Sequence, residues 1–179
     1  MELFLVVLLL PEPANQQVWA LKQEVHKLTG SRNALRLPPH ITLIPPFRQP
    51  AAVGQALELL LQDFAARQLC CTAVLQNFAW FESRTLYVPV IQAAGLHALH
   101  ADLYAQCSRH LPEVPAPTRP FVPHVTLATR DLPSDQVPAL RAQFATRAYA
   151  AQVTLRELAM YRHNGQLWQQ VARFELTAQ

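Results

Sequence analysis

The chain alternates short unbroken apolar runs with longer stretches of helical spacing. Leu3 to Leu10 is one such run, stopped by Pro11, and it reads as a fully buried central strand. A helix follows from about Asn15 to Leu28, where Val18, Leu21, Val25 and Leu28 share a face, and Thr29-Gly30-Ser31 closes it. A short β-branched strand at residues 39–43 ends near Pro45-Pro46. The second helix, about Pro50 to Gln68, buries Val53, Leu57, Leu60, Leu61 and Phe64. Two strands come next, roughly Cys71–Phe81 and Thr85–Ile91, with Glu82-Ser83-Arg84 as the turn. The pattern then repeats: a helix from about Ala94 to His110, a proline-rich loop from Pro112 to Pro120, and a short strand at 123–127. A helix starting at Pro133-Ser134-Asp135 carries the stripe Val137, Leu140 and Phe144. Strands near Ala151–Arg162 and Leu167–Thr177, joined by the hairpin turn His163-Asn164-Gly165-Gln166, close the chain.

The order strand, helix, short strand, helix, strand therefore occurs twice. It predicts an α+β fold of two pseudo-symmetric lobes, each an antiparallel sheet with outer helices. No linker separates the halves, so residues 1–179 are expected to form a single domain whose lobes are the duplicated halves.

Composition narrows the class. A chain that is 51% hydrophobic and 15% charged is an ordered globular protein, which excludes a disordered binder. The net charge of +3 suits a polyanionic partner without demonstrating one. Thirteen of the fifteen basic residues are arginine, a side chain suited to bidentate phosphate contacts, although compositional bias accounts for most of them. Cys70, Cys71 and Cys107 have no Cys-x-x-Cys spacing, which argues against a disulfide framework or zinc knuckle and for reduced thiols in a cytoplasm. The apolar N-terminal run carries Glu2, lacks a basic flank and is too short to span a bilayer. A cytoplasmic, monomeric protein without a membrane segment is expected.

The two short strands carry the chemistry. One reads Pro39-His40-Ile41-Thr42-Leu43 and the other Pro123-His124-Val125-Thr126-Leu127, and 124 − 40 = 84 residues separate the histidines, close to half the chain. Side chains alternate faces along a strand, so His40 and Thr42 oppose Ile41 and Leu43, and His124 and Thr126 oppose Val125 and Leu127. With the apolar face in a core, each His-Thr face looks out, into a groove. A lone histidine of this kind is explained by local satisfaction in a sheet; a matched pair is not. Imidazoles titrate near ~6.5, so one can be neutral and its partner protonated around neutral pH. In-line displacement at phosphorus needs such a base and acid on opposite sides, and threonine hydroxyls can donate to the non-bridging oxygens. That chemistry requires no metal and no cofactor. His97 and His100 stand at i, i+3 on a helix ended by His110, but no carboxylate or cysteine accompanies them at ligand spacing, so no metal site is predicted.

Two His-x-Thr-Leu motifs, one per half, resemble the two-histidine phosphoesterase superfamily, and within it the bacterial 2'-5' RNA ligase and RNA 2',3'-cyclic phosphodiesterase family. The resemblance implies two sheets facing across a central cleft, with His40, Thr42, His124 and Thr126 as catalytic residues. It implies RNA ends or cyclic nucleotides as substrates, their 2',3'-cyclic phosphates opened to 2'-phosphates. Two alternatives stay open: 2'-5' RNA ligation at the same site, or a non-catalytic RNA- or nucleotide-binding module. Relatives often carry arginine directly after the second His-x-Thr-Leu-Ala, whereas Thr129 stands there and Arg130 follows. If the strand runs on regularly, His124, Thr126 and Arg130 share a face and Arg130 reaches phosphate; a bulge would undo this. Phe47, Trp80, Phe81 and Phe121 flank the proposed cleft as candidates for stacking on a base, with core packing the competing role for each. A near-symmetric sequence does not say which histidine is base and which is acid.

Overall fold

The computed structural model describes residues 1–82 and 84–178. In chain order its elements are β1 (Glu2–Leu9), α1 (Ala14–Thr29), a 3-10 turn (Asn33–Arg36), β2 (His40–Gln49), α2 (Ala51–Ala65), β3 (Cys71–Gln76), β4 (Ala79–Phe81) and β5 (Thr85–Ile91). They continue with α3 (Ala94–His110), β6 (His124–Ala128), α4 (Val137–Ala145), β7 (Ala150–Leu155), β8 (Glu157–His163) and β9 (Trp168–Glu175). Two antiparallel sheets result, so the fold is α+β and two-lobed. The first sheet has the order β2-β1-β8-β9. In the second, β5 takes β6 along one edge and β4 and β3 along the other, with β7 outside β3.

The two motif strands are paired in corresponding registers. Leu9 and Val7 of β1 stand opposite His40 and Thr42, while Pro89 and Tyr87 of β5 stand opposite His124 and Thr126. Leu10 N–H donates to the Pro39 carbonyl (3.2 Å), and Val90 N–H donates to the Pro123 carbonyl (3.1 Å). One irregularity also matches, although β1–β2 has a further one between Phe4 and Val6. Val6 faces Ile44 and Leu86 faces Ala128, so each motif strand holds one extra residue directly after its threonine. These bulges let two consecutive residues, Leu43-Ile44 and Leu127-Ala128, both bury.

Lobe membership departs from a simple halving of the chain. β3, from the first half, pairs with β5 in the second sheet, and β8, from the second half, pairs with β1 in the first. The halves thus exchange strands, β3 and β4 going to the second sheet and β8 and β9 to the first. The run expected as one strand at 151–162 is two, because β7 lies in the second sheet and β8 in the first. Likewise 71–81 is broken into β3 and β4 at Asn77, whose φ of 58° ends the ladder; asparagine tolerates this left-handed conformation. Of the turn expected at Glu82-Ser83-Arg84, Ser83 lies outside the described residues. Leu28, expected in the stripe of α1, is exposed, while Val18, Leu21 and Val25 bury as the spacing requires. Gly30 closes α1 at φ 76°, its N–H donating to the His26 carbonyl (2.7 Å).

β1 is apolar from Leu3 onward because it faces two clusters. Phe4, Val6, Leu8 and Leu10 enter the main core, which also receives Leu57, Leu61 and Phe64 from α2, Leu96 and Leu103 from α3, and Leu75, Val88 and Leu155 from the second sheet. Leu5, Val7 and Leu9 point the other way, to the His40 face, where they pack with Ala159 and Tyr161, and with Leu37 and Trp168 at the margin. On the core side, α2 comes very close to the sheet at Gly54, where a Cβ would run into the Phe4 ring.

Candidate active site

The two motif strands are the edge strands of their sheets and lie against each other, which brings one histidine from each lobe to a shared region. Both imidazoles are partly exposed. Each is held by the same local device: His40 Nδ1 donates to the Pro38 carbonyl (2.7 Å), and His124 Nδ1 donates to the Val122 carbonyl (2.7 Å). The acceptor lies two residues back, in the segment that enters the strand, so the motif fixes its own tautomer. With Nδ1 engaged, Nε2 of each neutral ring carries the free lone pair. Thr42 and Thr126, two residues on, share the histidine faces and are also partly exposed.

The two environments differ more than the registers do. His40 sits over the apolar cluster of Leu5, Val7 and Leu9. Burial pushes its pKa well below the ordinary imidazole value; the nearby Lys22 adds to this, the Pro38 carbonyl opposes it, and His124 lowers it further. The last contribution shows the two rings within electrostatic reach of each other. His124 is also depressed by burial, with the Val122 carbonyl opposing. Its ring meets the edge of Phe81 (centroids 4.8 Å apart) and of Tyr87 (5.2 Å), which stack on one another at 4.0 Å. Tyr87 carries no motif signal; only the register of β5 against β6 reveals it.

Lys22 is the other residue that the motifs do not point to. It is 2% exposed, and Nζ donates to the carbonyls of Ala34 (3.1 Å) and Leu37 (3.2 Å) in the segment leading to His40. Burial lowers its pKa to about 7.

The remaining sequence candidates lie elsewhere. Phe47 is buried in the main core against Phe4, toward the far end of β2 from His40. Trp80 pairs with core-facing Leu86 and packs on the core side of β4, under the Arg141 guanidinium at 4.7 Å, so Phe81 takes the histidine face instead. Phe121 stacks on His100 (3.8 Å) and meets His97 edge-on (5.3 Å), and is thereby turned to α3. Arg130 does not continue the His124–Thr126 face, because the bulge intervenes, β6 ends at Ala128, and Arg130 itself has φ 57°. It is exposed, and its carbonyl accepts from Arg84 Nη2 (3.2 Å). Among the described residues, no group of three or more His, Cys, Asp or Glu side chains is placed to hold a metal ion. No helix among them is long and apolar enough to cross a membrane. An open groove of about 490 Å³ between the start of α1 and β7 is lined by neither histidine.

Fold and paired motifs together define a two-lobed protein of the His-x-Thr type. Residues 10–167 match the 2'-5' RNA ligase superfamily, and the chain belongs to that family. Among solved structures, TT0787 of Thermus thermophilus is similar over 100% of both chains, with 21% identity and a TM-score of 0.71. LigT of E. coli complexed with 3'-AMP is similar over 98% of both chains, with 20% identity and a TM-score of 0.64. A structure described as a phosphoesterase is similar over 99% of both, with 21% identity and a TM-score of 0.61. Against curated protein sequences the chain has no significant match.

Proposed function

We propose that the protein is a metal-independent phosphodiesterase that opens 2',3'-cyclic phosphates of RNA ends or nucleotides to 2'-phosphates. The observation that supports this best is the pair of imidazoles on adjoining edge strands, each anchored through Nδ1 and each offering Nε2. Family membership and the nucleotide held by LigT agree with it.

The asymmetry of the two environments supports a division of roles. His40, depressed by burial and by Lys22, is the neutral base. His124, which has no such cationic neighbour among the described residues, is the acid. His40 Nε2 takes a proton from water as its oxygen bonds to phosphorus. The bond from phosphorus to the 3'-oxygen breaks on the opposite side, and His124 protonates the departing oxygen. Thr42 and Thr126 donate to the non-bridging oxygens, where negative charge builds. Phe81, on the histidine face, offers an aromatic surface beside the site for a base. A 5'-hydroxyl attacking in place of water, in the same sense and with the same departing 3'-oxygen, would give 2'-5' ligation.

The test is turnover of a panel of 2',3'-cyclic phosphates by purified protein in EDTA, with the product isomer identified. Release of 2'-phosphate supports the reading. Binding without turnover would favour the binding module, and joined RNA without hydrolysis the ligase. Activity lost in EDTA and restored by zinc or manganese would overturn metal independence.

A further inference from the structure

The two histidines stand on different sheets, so their spacing depends on what fixes one motif strand against the other. One side chain ties the segment that enters β2 to the segment that leaves β6. Asp131 follows the end of β6, on a turn in which its own N–H donates to the Thr129 carbonyl (2.6 Å). Its Oδ1 accepts from Ser31 Oγ (2.7 Å), and its Oδ2 accepts from the backbone N–H groups of Arg32 (2.7 Å) and Asn33 (2.9 Å). These donors sit at the end of α1 and the start of the 3-10 turn, in the segment that leads to His40. Lys22 holds the other end of that segment through the Ala34 and Leu37 carbonyls, directly before Pro38, the acceptor of His40 Nδ1. A continuous path therefore runs from His124 along β6 to Asp131, through residues 31–37, to the carbonyl that orients His40.

We propose that Asp131 is a positioning residue: its three-bonded carboxylate clamps residues 31–33 to the end of β6 and so sets His40 against His124. The bonds are charge-assisted and short, of the kind that fixes geometry rather than merely adding stability. Burial pushes the carboxyl upward, yet the bonds from Ser31, Arg32 and Asn33 together hold it below the usual aspartate range. Misplacement of a reacting group by about 1 Å can cost on the order of 10²-fold in rate, so a clamp of this kind matters to kcat while leaving substrate contacts in place.

This inference rests on the proposed acid–base reading, and its test separates the two. Asp131→Ala, Asp131→Asn and, as a control, Arg147→Ala would be compared with wild type. Arg147 makes a different cross-link, to Glu24 of α1 (2.8 Å) rather than to residues 31–33. Kinetics on a cyclic phosphate would be read alongside imidazole ¹⁵N resonances. Asp131→Ala is expected to lower kcat at least about tenfold with KM within about twofold. The His40 signals should shift while those of His163 stay, Asp131→Asn should recover part of the loss, and Arg147→Ala should leave kcat and the His40 signals unchanged. Wild-type kcat in Asp131→Ala, or an equal loss in Arg147→Ala, would overturn the clamp. If wild type turns over no cyclic phosphate, only the catalytic reading falls, and the resonances still decide: unmoved His40 signals in Asp131→Ala overturn the clamp on their own.

Discussion

His40 and His124 share one tautomer-setting contact yet differ in surroundings, and that difference is the part of the site a sequence hides. The motif spacing shows two His-Thr faces, because alternation along a strand is a local rule. Lys22, by contrast, looks like any lysine on an amphipathic helix; only the fold reveals that it is buried beside the segment entering β2. Replacing either His40 or His124 with alanine should lower kcat by on the order of 10²–10⁴, and losing both should cost less than the product. Since His40 must be neutral to act as base and its pKa is depressed, kcat/KM should fall with acid only below the ordinary imidazole range. A His124→Ala protein with wild-type kcat would refute the pairing. Lys22 gives a stability signature. Its folded pKa of about 7 lies below the unfolded ~10.5, so between these values the unfolded chain binds more protons and stability rises with pH. Urea midpoints of wild type should therefore gain on those of Lys22→Met from about pH 7 to about pH 10, and parallel curves would show the amine is not buried as described.

At the level of elements, apolar periodicity locates the four α-helices among the described residues and nearly all their strands, because burial on one face is written into spacing. It merges β3 with β4 and β7 with β8, since the hydrophobic pattern carries no mark of a left-handed asparagine or of a change of sheet. The twin bulges do leave a trace. Leu43-Ile44 and Leu127-Ala128 break the alternation that precedes them, which is what two successive core-facing residues require. Without that signal, regular alternation carries Arg130 onto the wrong face. Phe47 is misread for a related reason: aromatic residues near a motif pack as readily as they bind, and distance along β2 decides. One element contact is especially tight. Gly54→Ala would drive a Cβ into the Phe4 ring, itself 2% exposed and packed on Phe47. Despite the gain of about 1 kcal/mol in helix propensity, overpacking should leave the protein roughly 1–3 kcal/mol less stable. Denaturant unfolding would check this, and a Gly54→Ala protein as stable as wild type would show that α2 is free to retreat.

Across the molecule, the reciprocal placement of β3 and β8 means that neither half contains its own sheet. The repeated element order is legible because hydrophobic spacing carries it; the exchange is not, because a strand's pattern says which face is buried and nothing about which neighbour it pairs with. The main core draws on both sheets, so thermal unfolding should be a single transition by near- and far-ultraviolet circular dichroism, and two resolved transitions would show independent lobes. The exchange also reaches beyond stability. A chain cut at the connection between β4 and β5 leaves two pieces, each with one histidine motif and each lacking two strands the other supplies. Such pieces are built for fragment complementation. Mixed together, they should reassemble into a working whole, which makes this fold a natural split reporter whose signal exists only when both parts meet.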